Sequence, residues 1–166
     1  GILSDAIPVK LQQDLLTRLD TTSSLIQATF YYRFYLFRAL KKVGLADQYV
    51  SMLKPWQDML GMGLTTFAEN PEPSRSDCHV LDFLATICGV EPAEAGFRSV
   101  KIEPHLGCLN RVEGKIPHPL GNISIILERE NKGINGKIVL PEGLSGRFIW
   151  NKQTLVLHSG QNLIDL

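Results

Sequence analysis

The chain has 166 residues, 44% of them hydrophobic, which allows one ordinary domain or two small ones and excludes a disordered polypeptide. Seventeen Lys and Arg balance 17 Asp and Glu, so a zero formal charge argues against a nucleic-acid backbone or an anionic membrane surface as partner. No apolar run reaches bilayer length, and three cysteines (Cys78, Cys88, Cys108) without close ligand spacing indicate neither a disulfide framework nor a zinc site.

In chain order, residues 1–8 have no basic n-region and no cleavage site, so they are not read as a signal peptide, and no compartment is assigned. The chain opens without Met and as though inside a helix end. Pro8 to Leu19 places Val9, Leu11, Leu15, Leu16 and Leu19 close to a 3.6-residue repeat, which predicts a helix. Thr21 to Ser24 breaks it. A long helix is expected from about Leu25 to Val43, ending at Lys41, Lys42 and Gly44. Its apolar residues cover most of its circumference, so it should be buried on more than one side. Ala46 to Leu60 predicts a third helix with Tyr49, Met52, Leu53, Trp56 and Leu60 inward, and Pro55 marks a kink or a new start. A short fourth helix is expected over Val80 to Cys88.

Between the third and fourth helices, residues 63–79 read Gly-Leu-Thr-Thr-Phe-Ala-Glu-Asn-Pro-Glu-Pro-Ser-Arg-Ser-Asp-Cys-His. A polar, proline-stiffened loop between helices is where binding and catalytic groups collect; the plainer reading is a well-capped helix connection. From Phe97 onward short alternating runs punctuated by Gly and Pro predict seven strands and an antiparallel β-sandwich. The expected organisation is therefore α+β, with helices over 1–92 and a sandwich over 93–166. The helical part is too apolar to hide its own surface, which implies that other helices are missing from it.

Glu72 and Glu113 read as solvated carboxylates, and His105, His118 and His158 as turn residues rather than ligands. Trp56 and Trp150 read as core before sugar platforms, and the cysteines as small buried hydrophobes. Gln27 and Thr29, near the start of the long helix, are placed weakly toward the axis of the helical ring that the resemblance described next implies.

Three runs carry a resemblance: Ser24 to Leu45, beginning Ser-Leu-Ile-Gln-Ala-Thr-Phe-Tyr-Tyr-Arg-Phe-Tyr; Leu53 to Leu60, Leu-Lys-Pro-Trp-Gln-Asp-Met-Leu; and Gly63 to Glu69, Gly-Leu-Thr-Thr-Phe-Ala-Glu. With Val100-Lys-Ile-Glu-Pro-His-Leu-Gly and Val112-Glu-Gly-Lys-Ile-Pro-His-Pro-Leu-Gly, they resemble the C-terminal part of bacterial α-L-rhamnosidases of glycoside hydrolase family 78. The resemblance implies the last helices of a six-hairpin (α/α) toroid followed by the closing β-sandwich. It implies inverting removal of terminal α-L-rhamnose from glycosides or polysaccharides, with no cofactor and no metal in the chemistry.

In such an enzyme two carboxyl groups stand roughly 6.5–9.5 Å apart, one donating a proton to the leaving oxygen and one accepting a proton from water. Glu69 falls on the family's general base; the segment carrying the acid is absent. His79 matches the imidazole placed against sugar hydroxyls, or else is a first-turn helix residue bonded to backbone. Asp77 is a sugar ligand or a helix cap. Two departures stand out. Ala68 replaces a Trp found in many members, and only Val80 and Leu81 separate His79 from Asp82. Both features favour a second reading, a non-catalytic carbohydrate-binding or structural remnant. The expected partners are a rhamnose-containing glycoside, a second copy of the chain, or the missing toroid helices.

Overall fold

The computed structural model describes residues 1–21, 24–64, 83–131 and 133–166, which fall into two compact units, Gly1–Leu81 and Asp82–Leu166. The first unit is helical: α1 (Val9–Thr21), α2 (Phe30–Lys42), one-turn 3-10 segments at Ala46–Gln48 and Ser51–Leu53, and α3 (Lys54–Gly61).

Helix α1 buries Gln12 and Leu16, while Val9 and Leu11 of the expected stripe lie exposed. The buried amide is satisfied locally: Gln12 Nε2 donates to the Ile7 carbonyl at 2.8 Å and to Asp5 Oδ1 at 3.4 Å. Asp5 also pairs with Lys42 Nζ at 2.7 Å, and Lys42 donates to the carbonyls of Ile2 and Leu3. The N-terminal turn is thereby latched to the end of α2.

Helix α2 begins later than expected. Thr29 is its N-cap with extended backbone (φ −60°, ψ 162°), and Ile26 is fully exposed. The apolar pattern continued through Leu25 and Ile26, but no helical backbone accompanies it there. The C-terminus follows the expectation. Gly44 takes φ +78°; its N–H donates to the Lys41 carbonyl at 3.2 Å, and the Leu45 N–H donates to the Leu40 carbonyl at 2.8 Å. These are the two bonds of a Schellman cap. The helix is buried on one side only. Phe37, Ala39 and Leu40 face inward, while Tyr31, Tyr32 and Tyr35 are about half exposed.

The third helical stretch is not one helix. Two 3-10 turns precede α3, which restarts at Lys54 with Pro55 in its first turn, where a missing N–H costs nothing. The restart shifts the inward face, so Met59 is buried and Leu60 is 66% exposed. Phe37 meets Tyr49 edge-on at 4.6 Å between centroids, and Phe30 lies 4.9 Å from Trp56. This aromatic knot is the core of the first unit.

The second unit opens with a π-helical turn (Phe83–Ile87) where a short α-helix was expected, and then forms a β-sandwich. One sheet has the order β1 (Val90–Pro92), β2 (Ser99–Ile102), β6 (Ser145–Trp150), β7 (Gln153–Leu157). The other has the order β3 (Arg111–His118), β4 (Gly121–Glu130), β5 (Gly133–Leu140), β8 (Gly160–Asp165). All seven expected strands form. The three-residue β1 was not foreseen, since Pro92 reads as a breaker; it lies at a sheet edge, where proline is tolerated.

The sandwich is not wholly antiparallel. Strands β2 and β6 pair in parallel, Ser99 opposite Ser145 through Ile102 opposite Phe148. Ile123, Ile125 and Leu127 of β4 and Ile138 and Leu140 of β5 point inward at period two, as do Val100 and Ile102 of β2. Phe148 and the loop residues Leu106 and Leu144 complete a core from which water is excluded. Full burial of each such side chain stabilises by roughly 1.5–3 kcal/mol. Ion pairs run both across and along the strands. Lys101 joins Glu91 at 3.3 Å and Glu103 at 3.1 Å, and Arg111 joins Glu128 at 3.0 Å and Glu113 at 2.7 Å.

Candidate functional site

Glu69, Asp77 and His79 lie within residues 65–82, outside the described residues, as do Ala68, Glu72 and Cys78. What the structure gives is the approach to that loop. Helix α3 ends in a second Schellman cap: Gly63 takes φ +80° and its N–H donates to the Leu60 carbonyl at 3.0 Å, while the Leu64 N–H donates to the Met59 carbonyl at 3.1 Å. Met59 is buried and Gly63 has open space where a Cβ would stand. The chain therefore leaves the helix in a direction fixed by backbone bonds and one buried anchor.

Within the first unit, a cavity of about 410 Å3 opens between α1, residues 25–28, α2 and the 3-10 turns. Leu16, Leu36 and Leu40 form its apolar wall, and Gln27, Gln48 and Ser51 bring polar groups to it. Among the described residues its charged lining is Arg33 and Lys54. The Arg33 guanidinium lies 5.6 Å from the Trp56 ring centroid and 5.7 Å from that of Phe30, and its Nη1 donates to the Met52 carbonyl at 3.4 Å. Lys54 is paired with Asp58 one turn along α3. Gln27, one of two residues placed weakly toward a ring axis, lines this cavity; Thr29 caps α2. The cations were missed in the sequence, where one Arg among aromatics and one Lys before Pro55 carry no spacing signal.

The remaining candidates have structural roles. Trp56 is buried in the core. Trp150 is half-buried beneath Arg129, whose guanidinium lies 5.7 Å from its ring centroid. His118 ties the β3–β4 turn, with Nε2 2.9 Å from the Phe97 carbonyl and Nδ1 accepting from the Leu120 N–H at 3.1 Å. His158 is held in the β7–β8 turn, its backbone N–H donating to Asn162 Oδ1. His105 donates its backbone N–H toward the carbonyls of Thr86 and Ile87. Glu113 is an exposed member of the Arg111 ion group. Cys88 is buried, and burial pushes its thiol up to about 11, so it is no nucleophile at neutral pH. Cys108, expected to be buried, is exposed. Among the described residues no group of three His, Cys, Asp or Glu side chains comes together as metal ligands, and no helix is long and apolar enough to cross a membrane.

Residues 89–162 match the family model of the bacterial alpha-L-rhamnosidase C-terminal domain. The chain is similar in structure to native alfa-L-rhamnosidase from Aspergillus terreus, at 18% identity and a TM-score of 0.78, over 95% of this chain and 21% of that one. It is similar to Streptomyces avermitilis alpha-L-rhamnosidase complexed with L-rhamnose, at 16% identity and a TM-score of 0.78, over 98% of this chain and 20% of that one. It is also similar to alpha-L-rhamnosidase from Dictyoglumus thermophilum, at 20% identity and a TM-score of 0.70, over 94% of this chain and 22% of that one. The chain thus spans about a fifth of the length of these enzymes. No curated protein matches it by sequence.

Proposed function

We propose that the chain, whose residues 89–162 match the family model of the bacterial alpha-L-rhamnosidase C-terminal domain, is the closing part of an α-L-rhamnosidase-like inverting glycoside hydrolase. In this reading α1 to α3 are the last helices of a six-hairpin toroid, and the loop after Gly63 carries Glu69 to the edge of its sugar cleft. Glu69 takes a proton from a water molecule as that water attacks the anomeric carbon of a terminal α-L-rhamnose. A carboxylic acid on an earlier segment, roughly 6.5–9.5 Å away, protonates the departing oxygen. His79 and Asp77 hold the sugar hydroxyls. Without the acid, the chain alone performs no hydrolysis.

The observation that carries this reading is the extent of the similarity to α-L-rhamnosidases. It covers 94–98% of this chain, so it takes in the helical unit as well as the sandwich. The capped end of α3 also supports it, because a rigid departure from the helix is what a positioned base requires.

The test is release of the aryl group from an aryl α-L-rhamnoside. The chain alone is expected to give none, and turnover lost on Glu69→Gln would overturn the division of the two carboxyls between segments. In the longer protein, Glu69→Gln is expected to lower kcat by about 10²–10⁴. The second reading, a non-catalytic carbohydrate-binding or structural remnant, is favoured by Ala68 in place of a Trp wall and by the short His79–Asp82 spacing. Calorimetric binding of rhamnose with no hydrolysis in the longer protein would establish it.

A further inference from the structure

Resting on the glycosidase reading above, we propose that Gly63 is a positioning residue for that reaction. Its left-handed backbone sets the direction in which the chain leaves α3 toward Glu69.

Three backbone bonds close the end of α3. The Met62 N–H donates to the Asp58 carbonyl at 3.0 Å, the Gly63 N–H to the Leu60 carbonyl at 3.0 Å, and the Leu64 N–H to the Met59 carbonyl at 3.1 Å. Met59 and Trp56, on one face of the helix, are both buried, so the last of these bonds is fastened to the core of the helical unit. This closure needs a residue of positive φ, and Gly63 supplies +80°. No atom stands within 4 Å of a Cβ built there. Space therefore does not demand glycine at this position; the backbone angle alone does. A residue with a Cβ favours negative φ, which releases the Leu64 bond and turns the following chain elsewhere. Glu69 stands five positions beyond Leu64, a reach of at most about 18 Å, so little chain is available to correct a wrong departure. A misplacement of about 1 Å at a reacting group is enough to cost about a hundredfold in rate.

Gly44 is a control within the same unit. It closes α2 with the same pair of bonds, at φ +78°, and also has nothing within 4 Å of a built Cβ. Alanine meets the same conformational penalty at both positions, but only Gly63 leads directly into the segment that carries Glu69.

The experiment is hydrolysis of an aryl α-L-rhamnoside by the longer protein, with kcat and KM measured separately and a thermal melt for each variant. Gly63→Ala is expected to lower kcat about 10- to 100-fold and to leave KM within about twofold. Gly44→Ala should lower the melting temperature similarly and keep the wild-type kcat. Gly63→Asn, whose side chain tolerates the left-handed region, should recover most of the lost rate. Equal loss of kcat in the two alanine variants would overturn the proposal, because Gly63 would then act through stability alone. Full kcat in Gly63→Ala, a loss confined to KM, or an asparagine variant no better than alanine would overturn it too. Hydrogen exchange in the chain itself gives a readout free of activity: Gly63→Ala should speed exchange at the Leu64 amide about tenfold or more and spare that of Leu45. Unchanged protection of Leu64 would mean that the cap does not need its glycine, and the proposal would fall. A wild-type longer protein that releases no aryl group would instead remove the glycosidase reading, and the positioning role with it.

Discussion

At the scale of single residues, the two described cysteines separate by environment. Cys88 Sγ lies so close to Gly114 that an added Cβ there would stand 2.7 Å from it, and burial keeps the group a thiol. Cys108 sits in an exposed turn. Alkylation of the native chain at pH 8, mapped by mass spectrometry, should modify Cys108 and spare Cys88 until the sandwich unfolds. Asp5 gives a pH signature. Its hydrogen bond to Lys42, and then that to Gln12, hold its carboxyl below the usual 3.8. A group depressed in the folded state stabilises above its unfolded pKa and loses that contribution as pH falls through the folded one. Wild type should therefore melt slightly above Asp5→Asn at pH 6, and the difference should disappear as pH falls through the lowered carboxyl pKa. Burial of Cys88 was legible in the sequence, but the Asp5 network was not. The Gln12 amide, for instance, sits where a helix stripe calls for an apolar residue, and it is paired with groups that only the folded turn brings near.

At the scale of elements, glycines at the ends decide more than propensities within. Gly63 has φ +80° with no atom within 4 Å of a built Cβ, so Gly63→Ala should cost about 1 kcal/mol of strain alone. Gly89 has φ +72°, and a Cβ would lie 2.0 Å from the Glu103 backbone, whose N–H donates to the Gly89 carbonyl. Gly89→Ala should cost more than about 3 kcal/mol and part β1 from β2; denaturant titration of the two variants checks the order. The strands were legible because alternation is a local signal: each run of Ile, Val or Leu at period two names its own face. Helix boundaries were less so. Leu25 and Ile26 prolong an apolar pattern that the backbone abandons at Thr29, and the break at Pro55 moves burial from Leu60 to Met59. The parallel match of β2 with β6 is a matter of topology between distant segments, and no local pattern encodes it.

At the scale of the whole molecule, the two units differ in how well they hide their apolar residues. The sandwich keeps its inward isoleucines and leucines fully covered. The helical unit leaves Leu25, Ile26 and three tyrosines of α2 in water. Those exposed side chains fit the proposal that further helices belong against them. Sedimentation should show concentration-dependent self-association of the full chain and a monomer for residues 82–166 produced alone. A monomeric full chain at high concentration would count against the toroid reading. The candidate catalytic residues were legible only through resemblance. Glu69, Asp77 and His79 have no spacing of their own that distinguishes a cleft from a solvated connection.

The parallel pairing of β2 with β6 has a consequence for how this protein is made. As the chain leaves the ribosome, β2 emerges with only the short β1 beside it, and its true neighbour follows only after a three-strand meander has been synthesised. Until Ser145 to Trp150 appears, one flank of β2 offers unsatisfied backbone amides to any extended segment nearby. A nascent chain stalled before that point should depend on chaperones and enter inclusion bodies, whereas one released after β6 should not.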